Sequence, residues 1–109
     1  SLEGIAEVAD DLVNKGGAGE ALSMGIYGWF FEEFMCKQGL PYVDNGNGRE
    51  AAATKVAFDE NGGALNILNE WKKLYDAGYA PNVGRGGDSG LADFSSGKAA
   101  MTLGSTASR

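Results

Sequence analysis

The stretch "FSSGKAAMTLGS", Phe94 to Ser105, decides the fold class. A polar turn, Ser95-Ser96-Gly97-Lys98, runs into a compact apolar segment, Ala99-Ala100-Met101-Thr102-Leu103. Five apolar or β-branched residues bounded by Gly-containing turns predict a buried strand. The strand stops on Gly104-Ser105, with Thr106, Ala107 and Ser108 beyond it. Such an exit is either an ordinary polar turn or a place where backbone amides and hydroxyls meet a ligand.

Working outward, helical and strand-like segments alternate. Leu2, Ile5, Val8, Ala9, Leu12 and Val13 recur at helical spacing, so Ser1 to Lys15 reads as a helix capped by Ser1 and ended by Gly16-Gly17. In Ala21 to Tyr27, Leu22, Met24 and Ile26 alternate with Ser23, Gly25 and Tyr27, which predicts a strand. Trp29, Phe30, Phe31 and Phe34 then crowd one helix, expected to be largely buried and stopped by Gly39 and Pro41. A polar loop follows, with a tight turn expected at Asn45-Gly46 or Asn47-Gly48. Thr54, Val56 and Phe58 alternate as a short strand.

The strongest helix signal comes next. Ala64, Leu65, Ile67, Leu68, Trp71, Leu74 and Tyr75 form a broad apolar face, with Asp59 or Asn61 as cap and Gly78 as terminator. Asp88-Ser89 opens a short amphipathic helix through Leu91 and Phe94. Helices between strands make this an α/β chain with crossover connections. Its 109 residues predict a single α/β domain over 1–109, with a core of Leu22, Met24, Ile26, Phe30, Phe34, Leu68, Trp71 and Met101.

Composition excludes several functions. The formal charge is −6, whereas a nucleic-acid partner needs a basic face. No apolar run is long enough to span a membrane, and Ser1-Leu2-Glu3 does not open a signal peptide. With no histidine and one cysteine, the chain assembles neither a zinc site, nor a Ser-His or Cys-His pair, nor an internal disulfide. Cys36 reads as a small packed residue.

Several motifs fail on inspection. Gly17-Ala18-Gly19 precedes a strand rather than following one, and Leu22 stands where a dinucleotide fingerprint needs its third glycine. Asp44-Asn45-Gly46-Asn47-Gly48 resembles a calcium loop, but Gly46 and Gly48 occupy ligand positions. Glu32 and Glu33, adjacent on a helix, diverge by about 100° and form no carboxylate pair. Lys72-Lys73 reads as a solvated face. No cofactor is implied.

Two places invite a ligand. Tyr27-Gly28-Trp29 lies at a strand's C-terminal end and a helix start, where open α/β sheets collect ligands. Tyr27 and Trp29 offer apolar faces with one polar atom each, suited to a ligand carrying C–H faces and hydroxyls. Ser105 and Thr106 follow the last strand in the same way, and suit a sugar hydroxyl or a phosphate.

The runs "GIAEVADDLVNKG" (4–16), "YGWFFEEFMCKQGLPYV" (27–43), "VAFDENGGALNILNEWKKLYDAGYAPN" (56–82) and "LADFSSGKAAMTLGS" (91–105) together resemble extracellular solute-binding proteins of bacterial ABC importers. The likeness is to the carbohydrate group that includes the glycerol-3-phosphate-binding proteins, and covers nearly the whole chain. Its most specific piece is Phe94 to Met101, similar to the family's "F..GKAAM" run before a strand. Phe58-Asp59-Glu60 followed by Trp71, Leu74 and Gly78 is the second.

The resemblance implies part of one lobe of a two-lobed, periplasmic-binding-protein-like fold. It implies binding of a carbohydrate or polyol phosphate, with delivery to ABC permease subunits in a membrane. It also implies an extracytoplasmic setting, a periplasm or a lipid-anchored cell surface, with the leader outside this chain. An aromatic near Trp29 and a small polar residue after the "AAM" strand face the cleft in such proteins. Gly62-Gly63 departs from the family's Pro-Glu, so a looser helix start is expected. A partial lobe is also expected to self-associate through uncovered sheet. Two other classes stay open: an α/β enzyme domain using Asp, Glu, Lys or Tyr, and a structural or oligomerisation module.

Overall fold

A computed structural model describes residues 1–108 as a small mixed α/β structure of five helices and a two-stranded parallel sheet. The order is α1 (Leu2–Asp10), β1 (Glu20–Ser23), α2 (Gly28–Lys37), α3 (Asp44–Gly48), α4 (Gly63–Asp76), α5 (Leu91–Ser95) and β2 (Ala99–Thr102). The chain forms two compact units. One joins Ser1–Tyr27 to residues 70–108, and the other is Gly28–Asn69.

In the first unit β1 pairs with β2 in parallel, placing Glu20 opposite Ala99, Leu22 opposite Met101 and Ser23 opposite Thr102. Parallel strands are covered on both faces, so the half-buried alternation expected for Ala21 to Tyr27 does not arise. Glu20 to Gly25 are all buried, the strand ends at Ser23, and Ile26 is exposed. The core expectation thus holds for Leu22 and Met24 and fails for Ile26. The outer edge of β1 is closed differently: the Ala21 and Leu22 amides both donate to the Tyr79 carbonyl.

Ser1 caps α1 as expected, its hydroxyl accepting the Gly4 amide at 3.0 Å. The helix continues as a wide turn over Asp11–Lys15, where the Gly16 amide reaches back to the Asp11 carbonyl. Leu2 and Ala9 are buried while Val8 is exposed, so the covered stripe is narrower than the apolar pattern.

α5 lies against β1 at closer range than side chains permit. A Cβ on Gly90 would sit 2.1 Å from the Ser23 carbonyl oxygen and 2.7 Å from the Met24 amide nitrogen. The expected helix from Asp88 begins as a turn and becomes helical at Leu91. Its Leu91 and Phe94 are exposed, because glycine backbone rather than an apolar stripe makes the contact with the strand.

The second unit is built on aromatics. Phe31, Tyr42 and Phe58 meet in pairs with ring centroids 4.9 to 6.0 Å apart. Phe30 and Met35 are the buried residues of α2; Phe31 and Phe34 are half-buried, and Trp29 and Cys36 are exposed. The largely buried helix and the packed Cys36 are both corrected. The strand expected at 54–58 is absent; a single antiparallel bridge joins Val43 to Val56.

The tight turn expected at 45–48 is a full left-handed turn. Asn45, Gly46, Asn47 and Gly48 all have positive φ, which Asn and Gly tolerate best. The start of α4 is firmly held. Asn61 Oδ1 accepts the Gly63 amide at 2.9 Å, Gln38 Nε2 donates to the Gly63 carbonyl, and Gly63 leaves room for Met35. Along α4, Ile67 and Leu74 are buried, but Leu65, Leu68 and Tyr75 are exposed. Leu68 therefore leaves the expected core, while Phe34, Trp71 and Met101 are half-buried.

Gly90→Ala is expected to cost at least about 1–3 kcal/mol by urea denaturation, since the strand backbone blocks the new methyl. Gly104→Ala, with open space at its Cβ, should change stability by no more than about 0.5 kcal/mol.

Candidate functional site

β2 carries the chain to Leu103 and Gly104, and the turn after it is built by Ser105. The Ser105 hydroxyl accepts the Ala107 amide at 3.1 Å, and its carbonyl accepts the Ser108 amide at 3.0 Å. These bonds wind Thr106–Ser108 into a single 3₁₀ turn. Ser108 Oγ then donates to Asp88 Oδ1 at 3.0 Å, tying the turn to the loop before α5.

Between turn and loop lies an open cleft of about 270 Å³. Ser105 and Thr106 line it with Asp88, Leu91, Thr102 and Leu103. Thr102 is oriented by its hydroxyl, which donates to the Ser23 carbonyl at 2.8 Å. The Thr106 hydroxyl makes no hydrogen bond within the described residues and remains available to a solute. Tyr27 is not among the lining residues; it packs beside Gly87, which is one, and a Cβ on Gly87 would stand 3.3 Å from the ring.

Three of the four sequence candidates, Tyr27, Ser105 and Thr106, therefore belong to the first unit, at the C-terminal end of its parallel sheet. Trp29 lies in the second unit, 40% exposed, its ring edge-on to Phe30 at 5.3 Å. Of the amides expected to meet a ligand there, those of Ala107 and Ser108 are taken up inside the turn. Sequence reasoning missed Asp88 and Leu91 as cleft residues. The available signal was an acidic residue in the glycine-rich loop "GRGGDSG", shortly before the strand.

The second unit has its own open cleft of about 410 Å³, lined by Glu32, Cys36, Tyr42, Asn47 and Arg49 among others. The calcium-like loop borders it, with the side-chain oxygens of Asp44 and Asn47 already employed. Asn47 Oδ1 accepts the Tyr42 and Val43 amides, and the Asp44 carboxylate accepts the Thr54 amide at 2.9 Å and hydroxyl at 2.6 Å. Those oxygens hold the left-handed turn in place.

No protein family, no characterised protein and no solved structure matches this chain.

The Thr54 hydroxyl, then its amide, hold the Asp44 carboxyl below its ordinary value of 3.8. With the folded value depressed, the stabilisation is complete above 3.8 and disappears as pH falls through the folded value. Hydrogen exchange at the Thr54 amide should therefore accelerate, beyond its intrinsic pH dependence, only below that point. Asp44→Asn should remove this step.

Proposed function

We propose that this chain is part of one lobe of an extracytoplasmic solute-binding protein serving a bacterial ABC importer. Its solute would be a carbohydrate or a polyol phosphate, passed on to membrane permease subunits without chemical change. The observation that carries this reading is the cleft beyond the C-terminal end of β2, lined by Ser105 and Thr106. Ligands of open α/β sheets bind at that end of parallel strands. Hydroxyls beside the apolar side chains of Leu91 and Leu103 suit a solute that alternates C–H faces with O–H groups. The "F..GKAAM"-like run leading into β2 supports the same reading.

Calorimetric titration of the parent protein with a panel of sugars and polyol phosphates tests it. One of them should bind, and Ser105→Ala should weaken that ligand about tenfold, roughly 1.4 kcal/mol. A panel without binding removes the reading.

A second reading, an association module, has one observation in its favour. Among the described residues β2 pairs with β1 alone, and its Ala99-Ala100-Met101-Thr102 segment has neither charge nor proline to protect the other edge. Self-association through this edge should appear in light scattering as a mass that rises with concentration. A strictly monomeric mass throughout rejects it.

A further inference from the structure

We propose that the cleft beyond β2 selects the uncharged, hydroxylated form of its solute over the phosphorylated form, with Asp88 as the discriminating residue. This inference rests on the reading of the cleft as a solute site. Among the described residues, Asp88 is the one charged side chain that lines the cleft. Its carboxylate is held by the hydroxyl of Ser108, itself a lining residue, so it stays with the cleft wall. No lysine or arginine pairs with Asp88 within the described residues, and Arg85, two positions before Gly87, does not line the cleft.

A phosphate monoester brings a charge of about −1.5 to −2 and demands donors. Two amides of the turn and one hydroxyl are already engaged. The Ala107 and Ser108 amides are bonded within the turn, and Thr102 Oγ1 donates to the Ser23 carbonyl. A chain of net charge −6 adds a repulsive background. Sugar hydroxyls meet the opposite situation. A carboxylate accepts hydrogen bonds from them strongly, and the Ser105 and Thr106 hydroxyls complement them as donors or acceptors. Leu91 and Leu103 supply apolar wall for the C–H faces.

The test follows the backbone amides of Ser105, Thr106 and Ser108 by NMR in the full chain at fixed ionic strength, so that screening is constant. Matched probes are added: glycerol against glycerol 3-phosphate, glucose against glucose 6-phosphate, and inorganic phosphate alone. The uncharged member of a pair should shift these amides at a concentration lower by about tenfold or more, a difference of roughly 1.4 kcal/mol. Asp88→Asn keeps an oxygen for Ser108 and should narrow the gap at least about threefold. Unchanged shifts of the β1 amides, Glu20 to Ser23, confirm that the variant folds.

A phosphorylated probe acting at equal or lower concentration than its uncharged partner overturns the inference and leaves the cleft a solute site. A gap unaltered in a folded Asp88→Asn variant likewise removes Asp88 from the role. Amides unmoved by every probe overturn the solute-site reading, and this inference falls with it.

Discussion

The structure depends on one parallel pairing between segments far apart in the chain. Ser23 lies opposite Thr102, and the Thr102 hydroxyl donates to the Ser23 carbonyl across 79 positions of sequence. Parallel strands cannot be joined by a hairpin, so everything between β1 and β2 is crossover. Closing so long a loop costs chain entropy before any contact compensates it. The compensation is dense burial: Ala21, Leu22, Ser23 and Met24 are sealed from solvent. Gly90 lets α5 meet the strand backbone directly, and this places the loop before α5 beside the end of β2.

Polar groups fasten that pairing where apolar contact alone has no direction. Ser23, fully buried, donates its hydroxyl to Asp93 Oδ2 at 2.9 Å. Lys98 lies 3.2 Å from Glu20 and 3.7 Å from Asp93, linking the start of β1 to α5. The hydrogen bond that Lys98 donates to Glu20, then the Asp93 charge, raise Lys98 above its ordinary 10.5. A raised folded value means that the stabilisation is complete below 10.5 and disappears only as pH climbs through the folded value. Lys98 is 58% exposed, so the pair serves more to set register than to add stability. Glu20 Oε2, buried and without a hydrogen bond, is the unsatisfied atom of this arrangement.

The cleft inherits its character from the same geometry. Its floor is the end of β2, one wall is the Ser105-capped turn, and the other is the loop that α5 anchors. Ser105 employs its own oxygens to wind the turn, and the strand exit is a hydroxyl-lined edge that Ser108 ties to Asp88. The opening question of "FSSGKAAMTLGS" thus has a mixed answer. The small polar residues build the turn first, and the Thr106 hydroxyl with the O–H of Ser105 is what remains for a solute.

Local signals alone determined much of this chain. The Ser1 cap, the wide apolar helix capped by Asn61, the stop at Gly78 and the strand at Ala99 all follow from capping chemistry and periodicity, which act over a few residues. The positions of Tyr27, Ser105 and Thr106 at a sheet's C-terminal end were legible for the same reason. Tertiary structure decided the rest. Ile26 and Leu68 are apolar by composition yet exposed, because burial depends on which neighbours arrive and not on the residue itself. The strand expected at 54–58 found no partner beyond one bridge, and extended backbone without a partner is not a strand. Asp88 became part of the cleft only when Gly90 allowed α5 to settle against Ser23, a contact between residues whose sequence spacing carries no period to read.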